Sequence, residues 1–209
     1  MIKVVLCDDH AVVRRGVRDT LMEATDVQVV GEADGYASLR DALRQHKPDV
    51  LLLDVDLPGR SGLEILAVLQ EEQNPVRVVM VSMYPEDQYA IRCLKAGAMG
   101  YLNKGGDPAA LLAAVRTVAQ GRKYITAEIA ELLANHLNAP EGAELHDSLS
   151  ERELQTLKKI ASGKKLSQIA EELMISPKTV SVYRARVLEK LGLSNNAELT
   201  VYAIRNQLV

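Results

Sequence analysis

KPDVLLLDVDLPGRSG, residues 47–62, is the stretch on which the fold of the chain turns. Its apolar run at 50–53 is too short for a helix. Pro48 bounds it on one side and Pro58, Gly59 and Gly62 on the other, which predicts a strand buried on both faces. Asp54 stands at the carboxyl end of that run. In an open parallel sheet, ligands bind in the crevice outside the strand ends, so an acid placed there is a functional candidate. The plainer role for Asp54, capping the next helix, falls more naturally to Ser61 and Gly62, which lie closer to that helix.

Outward from this strand, apolar runs recur at 2–7, 27–30, 76–81 and 99–102, and helical patterns lie near 11–24, 35–46, 61–72, 86–96 and 107–119. Five strands alternating with five helices predict a flavodoxin-like, doubly wound α/β unit: a five-stranded parallel sheet with helices on both faces. Asp8 and Asp9 end the first strand, Asp54 the third and Ser82 the fourth, and Lys104 follows the fifth, so the fold gathers them at one edge. Carboxylates crowded there repel unless a cation is present, and oxygen ligands of this kind suit Mg²⁺. With the Lys104 ammonium and the Ser82 hydroxyl added, the site is equipped to hold the three anionic oxygens of a phosphoryl group.

Taken singly, these residues say little: Lys104 reads as a solvated loop lysine, Ser82 as a turn residue and Tyr101 as core. Their joint placement carries the functional reading. His10, next to the acids, invites a metal or base role but is read instead as starting the first helix, with no chemistry assigned to it. Met80, Met83 and Met99 read as core fillers. Cys7 and Cys93 lack metal-like spacing and read as buried thiols.

The pattern DD at 8–9, Asp54 followed by LPG, Ser82, and GYLNKG at 100–105 resembles the receiver domain of two-component response regulators over residues 1–122. The resemblance implies that Asp54 is a nucleophile accepting phosphate from a sensor histidine kinase. It also implies that Asp9, Asp54 and the backbone carbonyl of Asp56 ligate Mg²⁺, with Asp8 holding a ligand water. Ser82 and Lys104 then contact the phosphoryl group, and Tyr101 turns inward once Ser82 is drawn to it.

The chain has 209 residues, 47% of them apolar, with no Trp or Phe, so aromatic stacking platforms for single-stranded nucleic acid are not expected. No apolar run reaches membrane length and the amino terminus has no signal-peptide pattern, which predicts a cytoplasmic protein without a membrane partner. The net charge of −3 conceals an asymmetry. Residues 1–124 hold 15 basic and 17 acidic residues, 125–147 none and 5, and 148–209 hold 10 and 6. The basic end points to a polyanionic partner. Between the two ends, 123–147 reads as a linker: a helix over 126–137, free to pack on either neighbour or on its own copy, then a breaker-rich acidic tether at 138–147. His136 and His146 are expected to face solvent.

Residues 148–209 contain four short helical patterns and no strand pattern. Ser150 and Glu153 form a capping box, Gly163 ends the first helix, and a second runs over 166–173. Ser176 and Pro177 open a third that reaches Leu191, the spacing of a helix-turn-helix. Val180, Val187 and Leu191 form its buried stripe, while Lys178, Ser181, Val182, Arg184, Ala185 and Lys190 lie on the opposite face, suited to the major groove. Lys158, Lys159, Lys164 and Lys165 are solvated surface or phosphate contacts. LSERE, IAEEL, SPKTV and KLG resemble the LuxR-type domain of the NarL/FixJ subfamily. That resemblance implies that the third helix, Thr179 included, reads double-stranded promoter DNA and that the fourth makes a homodimer contact. Lys165 and Leu166 depart from the usual polar start of the second helix, and Tyr183 replaces a frequent His.

The expected whole is a phosphorylation-switched transcription regulator, dimeric when phosphorylated or on DNA, and not an enzyme. Asp54-Val55-Asp56 has the D-x-D form of haloacid dehalogenase-type hydrolases, but Pro58 breaks that pattern. A receiver serving only as a constitutive interaction domain is disfavoured by the intact acidic site. No phosphate-binding glycine motif for nucleotides occurs.

Overall fold

A computed structural model describes residues 1–138 and 145–209, apart from the side chains of residues 87, 88, 135–138 and 147. The chain divides into two units, Met1–Asn138 and Ala139–Val209. In the first, β1 (Ile2–Cys7), β2 (Val27–Ala33), β3 (Val50–Asp54), β4 (Arg77–Ser82) and β5 (Gly100–Asn103) form one sheet in the order β2-β1-β3-β4-β5, every neighbour parallel. Between them run α1 (Ala11–Met22), α2 (Tyr36–His46), α3 (Gly62–Glu71) and α4 (Glu86–Lys95), with α5 (Pro108–Ala119) after β5.

Alternation along each strand sorts the core into two faces. Val4, Leu6, Val50, Leu52, Val79, Val81 and Leu102 pack with Leu21 of α1 and Ala114, Val115 and Val118 of α5. Val5, Leu51, Leu53 and Met80 are left for the other face, all fully buried. Met99 is partly buried against the core, but Met83 is 70% exposed and fills nothing. It follows Ser82, beyond the last paired residue of β4, where alternation no longer aims side chains into the core.

The strand expected at 27–30 continues to Ala33. Gly31 reads as a stop, yet it pairs with Val5, and the ladder absorbs it by a register shift between Val4 and Val5. Helix α3 begins as its sequence dictates: the Ser61 hydroxyl accepts from Glu64 N–H at 3.3 Å and the Glu64 carboxylate accepts from Ser61 N–H at 2.8 Å.

The linker helix, α6 (Ala127–Asn138), packs on α4 and so belongs to the first unit, a choice the sequence left open. Thr126 Oγ1 donates to Glu86 Oε2 at 2.8 Å and accepts from Ile129 N–H at 3.2 Å, and Ile129 is fully buried. Thr126→Ala removes the cap and the tie together. It is expected to cost about 1 kcal/mol, read as faster amide hydrogen exchange in α6 with β1 and β3 unchanged.

Of the expected tether, 139–144 lie outside the described residues. Leu145–Ser148 form a 3₁₀ turn in the second unit. His146 does not face solvent as expected: its Nδ1 lies 3.1 Å from the Tyr202 hydroxyl and the rings meet edge to face at 6.0 Å. The side chain of His136 lies outside the described residues.

The second unit holds α7 (Glu151–Ala161), α8 (Leu166–Glu172), α9 (Pro177–Leu191) and α10 (Asn196–Arg205). Helix α7 packs on α8, α9 and α10, and α8 on α9. Leu154, Leu157, Ile169, Val180, Val187, Leu191, Leu199 and Ala203 are its core. Ser150, Ser176 and Asn195 each cap a helix with a side-chain oxygen, and α9 stops at Gly192, where φ is 65°. Helix α8 opens at Leu166 without a hydroxyl cap; Gln168 Oε1 instead accepts from Lys165 N–H at 2.9 Å. Among the described residues, no helix is long and apolar enough to cross a membrane.

Candidate functional site

Strand register builds the first site. Cys7 pairs with Leu53, so Asp8 and Asp54 come abreast one residue further on; Ser82 pairs with Asn103, so Lys104 leaves β5 beside them. Lys104 N–H donates to the Ser82 carbonyl at 2.7 Å, extending the ladder by one bond. Lys104 Nζ then sits between two carboxylates, 2.7 Å from Asp8 Oδ2 and 2.6 Å from Asp54 Oδ2. All three side chains are buried, 10% exposed or less.

The turn after β1 is held from both sides. Asp8 Oδ1 accepts from His10 N–H at 2.8 Å, and Arg14 Nη1 donates to the Asp8 carbonyl at 2.6 Å. Arg14 and Arg18 both pair with Glu32, at 3.2 and 2.9 Å. After β3, Asp56 N–H donates to Asp54 Oδ1 at 3.3 Å. Gly62 is required here for space: a Cβ would lie 2.0 Å from the Asp54 carbonyl oxygen.

Two carboxylates and one ammonium leave one negative charge in excess in a buried place. Burial pushes the Asp54 carboxyl up to about 7, against the pull of Lys104. Burial alone would lower the Lys104 ammonium, but the Asp54 carboxylate beside it more than reverses this, so it is held charged. The ion pair therefore stands and the unmatched charge is what burial penalises. A divalent cation would relieve that penalty. Oxygens of Asp8, Asp9 and Asp54 and a ring nitrogen of His10 all lie within 4.8 Å of one another, and the three carboxylates are hard oxygen donors that fit Mg²⁺. His10, whose position after the acids invites a metal role, is the N-cap residue of α1 as expected and also brings a ring nitrogen to this cluster.

Ser82 is buried and its hydroxyl accepts from Tyr84 N–H at 3.2 Å. Tyr101 already lies inward, fully buried, its hydroxyl donating to the Tyr84 carbonyl at 2.7 Å, and burial raises its phenol. The Tyr84 ring stacks on Tyr89, centroids 4.6 Å apart. Burial pushes the Cys7 thiol up to about 12, which leaves it inert as a nucleophile, and Cys93 is buried too.

On α9, Lys178, Ser181, Val182 and Ala185 are exposed, and Thr179 and Arg184 are half-buried. Ser181 Oγ donates to the Pro177 carbonyl at 3.0 Å, Thr179 joins the Ser176 cap, and Arg184 Nε donates to Asn196 Oδ1 at 2.5 Å. Lys190 departs from this face. Twelve residues place it about 120° around the helix from Lys178, and its Nζ pairs with the buried Glu153 at 2.6 Å and reaches the Ser148 carbonyl at 3.1 Å. It ties α9 to α7 and to the turn before it within the unit. Arg186, not among the expected contacts, is exposed. Lys159 and Lys164 both pair with Glu172, at 2.7 and 2.5 Å.

Residues 4–116 match the family described as response regulator receiver domain, and residues 147–203 the bacterial regulatory proteins, luxR family. The chain is 40% identical over 210 residues to the response regulator GacA of Pseudomonas aeruginosa, spanning 100% of this chain and 98% of that one. It is 39% identical over 209 residues to the response regulator UvrY of Escherichia coli, spanning 100% and 96%. Among solved structures, RcsB from Salmonella enterica serovar Typhimurium, bound to a promoter in the presence of the phosphomimetic BeF₃⁻, is 25% identical with a TM-score of 0.60, covering 96% of this chain and 97% of that one. The buried acid and ammonium at the edge of a parallel sheet, and the helix-turn-helix after it, are thus the two halves of one architecture: this chain belongs to the response regulators of the NarL/FixJ subfamily, which join a receiver domain to a LuxR-type DNA-binding domain.

Proposed function

We propose that a sensor histidine kinase phosphorylates Asp54 and that this switches promoter binding by residues 148–209. The single observation that carries the reading is the buried, incompletely neutralised carboxylate of Asp54 beside the Lys104 ammonium. In the transfer, an Asp54 oxygen bonds to phosphorus as the phosphorus–nitrogen bond of the phosphohistidine breaks, and the departing imidazole nitrogen takes a proton. Lys104 balances a phosphoryl oxygen and Ser82 donates its hydroxyl to another. Asp9, Asp54 and the Asp56 carbonyl would hold Mg²⁺, with Asp8 on a ligand water; bound there, the ion supplies neutralisation of the phosphoryl charge.

Ser82 engaged in this way releases Tyr84 N–H. The loop carrying Tyr84 leads directly into Glu86 and α4, and Tyr101 holds its carbonyl. A coupling of about 1 to 3 kcal/mol along this route changes DNA affinity roughly fivefold to 150-fold. The DNA face comprises Lys178, Thr179, Ser181, Val182, Arg184 and Ala185, and Lys190 is not part of it. Val201 and Ile204 of α10, 48% and 59% exposed, support a homodimer contact through that helix. Kinase and promoter as partners place the protein in the cytoplasm.

The test compares DNA affinity and oligomeric mass with and without acetyl phosphate and Mg²⁺. A dimer with at least tenfold tighter binding to paired half-sites about one helical turn apart is expected. Binding and mass indifferent to the phosphodonor would refute the switch. Within the DNA face, Arg184→Ala is expected to weaken operator binding about tenfold, whereas Lys190→Ala changes it less than twofold and instead lowers the unit's melting temperature, both read from one fluorescence-anisotropy and thermal-melt series.

A further inference from the structure

Asn103 closes β5 directly before Lys104, and its side chain reaches in two directions. In the ladder it pairs with Ser82, the last residue of β4. Its Nδ2 donates to the Tyr84 carbonyl at 3.2 Å and, longer, to the Met83 carbonyl at 3.4 Å, both in the loop after β4. Its Oδ1 accepts from Gly105 N–H at 2.7 Å, in the loop after β5. Carbonyls on one side and an N–H on the other fix which way the amide faces. The Asn103 carbonyl accepts from Gly106 N–H at 3.0 Å, so the second loop folds back on the end of its strand. One side chain therefore brackets the loop that carries Lys104 to the loop that leads from Ser82 into α4.

The Tyr84 carbonyl takes two donors from β5, the buried Tyr101 hydroxyl at 2.7 Å and the Asn103 amide. The Met83 carbonyl and the Tyr84 N–H belong to one planar peptide. Asn103 holds that peptide by its carbonyl and the Ser82 hydroxyl holds it by its N–H, at 3.2 Å. Drawing Ser82 away breaks the second bond and turns the peptide out of reach of the first. A bond made in only one of two states biases the equilibrium between them. We infer that Asn103 is a positioning residue of the phosphoryl switch: it stabilises the arrangement in which Ser82 is engaged by Tyr84 N–H, and so opposes the phosphorylated one. This rests on the reading above that Ser82 is drawn to a phosphoryl group on Asp54. The plainer role is local, the Asn103 carboxamide oxygen closing its own turn on Gly105 N–H.

The phosphomimetic BeF₃⁻ is the probe. Its dissociation constant with Mg²⁺ present is measured on the full chain by ¹⁹F nuclear magnetic resonance, for wild type, Asn103→Ala and Asn103→Ser. The serine hydroxyl keeps a local acceptor for Gly105 N–H but is too short to reach the Tyr84 carbonyl. Apparent affinity for a ligand of one state rises with the population of that state, so both variants are expected to bind BeF₃⁻ about fivefold tighter than wild type. A residue that only closed its turn would lower the melting temperature of Asn103→Ala without tightening the binding. BeF₃⁻ bound by Asn103→Ser no tighter than by wild type, with a thermal melt showing the variant folded, would overturn the inference and leave the phosphoacceptor reading standing. Failure of wild type to bind BeF₃⁻ would overturn both.

Discussion

Asp54→Asn is expected to abolish incorporation of radiolabelled phosphate from acetyl phosphate in the presence of Mg²⁺, with labelling falling to the level of a no-protein control. The amide oxygen keeps the shape and a partner for Lys104 Nζ, but it is not a nucleophile and forms no acyl phosphate. Asp8, its neighbour across β1 and β3, does not substitute. Its carbonyl is fastened by Arg14 and its carboxylate by His10 N–H and Lys104. Undiminished labelling of the variant would move the phosphoacceptor elsewhere and undo the proposed switch. A pH series checks that the variant is folded. A carboxyl raised to about 7 from 3.8 binds its proton more tightly in the folded state. Its favourable contribution is therefore present in full below about pH 4 and is lost as pH rises through 7. With chelator present, wild type should lose stability relative to Asp54→Asn across that window, and an Asn variant that never gains on it would contradict the burial penalty argued for Asp54.

Gly62→Ala is expected to destabilise the receiver by about 3 kcal/mol and to lower its melting temperature by roughly 10 °C, with phosphoacceptor activity lost in the same step. The cause is position rather than backbone freedom. The added Cβ would meet the Asp54 carbonyl oxygen at 2.0 Å, and Met80 Cε at 3.0 Å. A methionine tip can give way, but the carbonyl belongs to the end of β3, whose paired Leu53 and Asp54 position the acid. Gly62 N–H also donates to the Val55 carbonyl at 2.9 Å, so α3 cannot back away without opening the loop that carries Asp56. Gly59, at φ 75° with open space around it, is the contrasting case. Gly59→Ala should cost roughly 1 kcal/mol through backbone strain and leave labelling nearly intact. Equal melting of the two variants would remove the argument from close approach.

The order of strands and helices, the doubly wound class and the gathering of Asp8, Asp54, Ser82 and Lys104 at one edge were legible in the sequence. They depend on hydrophobic period and turn residues, which are local, and on the rule that parallel strands share a carboxyl edge. The same holds for the helix-turn-helix, whose caps at Ser150 and Ser176 stand where they were expected. Where local signals misled, the cause was a neighbour distant in sequence. Gly31 reads as a strand end but is paired through a register shift in β1, and Lys190 reads as part of a basic face but lies opposite Glu153, 37 residues away.

The sequence by itself determined which strand each candidate site residue ends, because a run of apolar residues announces a strand and its last polar neighbour announces the edge. Only the tertiary structure decided that one ammonium stands between two carboxylates with a negative charge left over, that the His10 ring turns back on the acids, that Gly62 must make room for a carbonyl, and that α6 docks on α4. Each of these is a distance between atoms on different elements. Such distances are set by strand register and by close packing across the sheet, which the sequence encodes only through the fold as a whole.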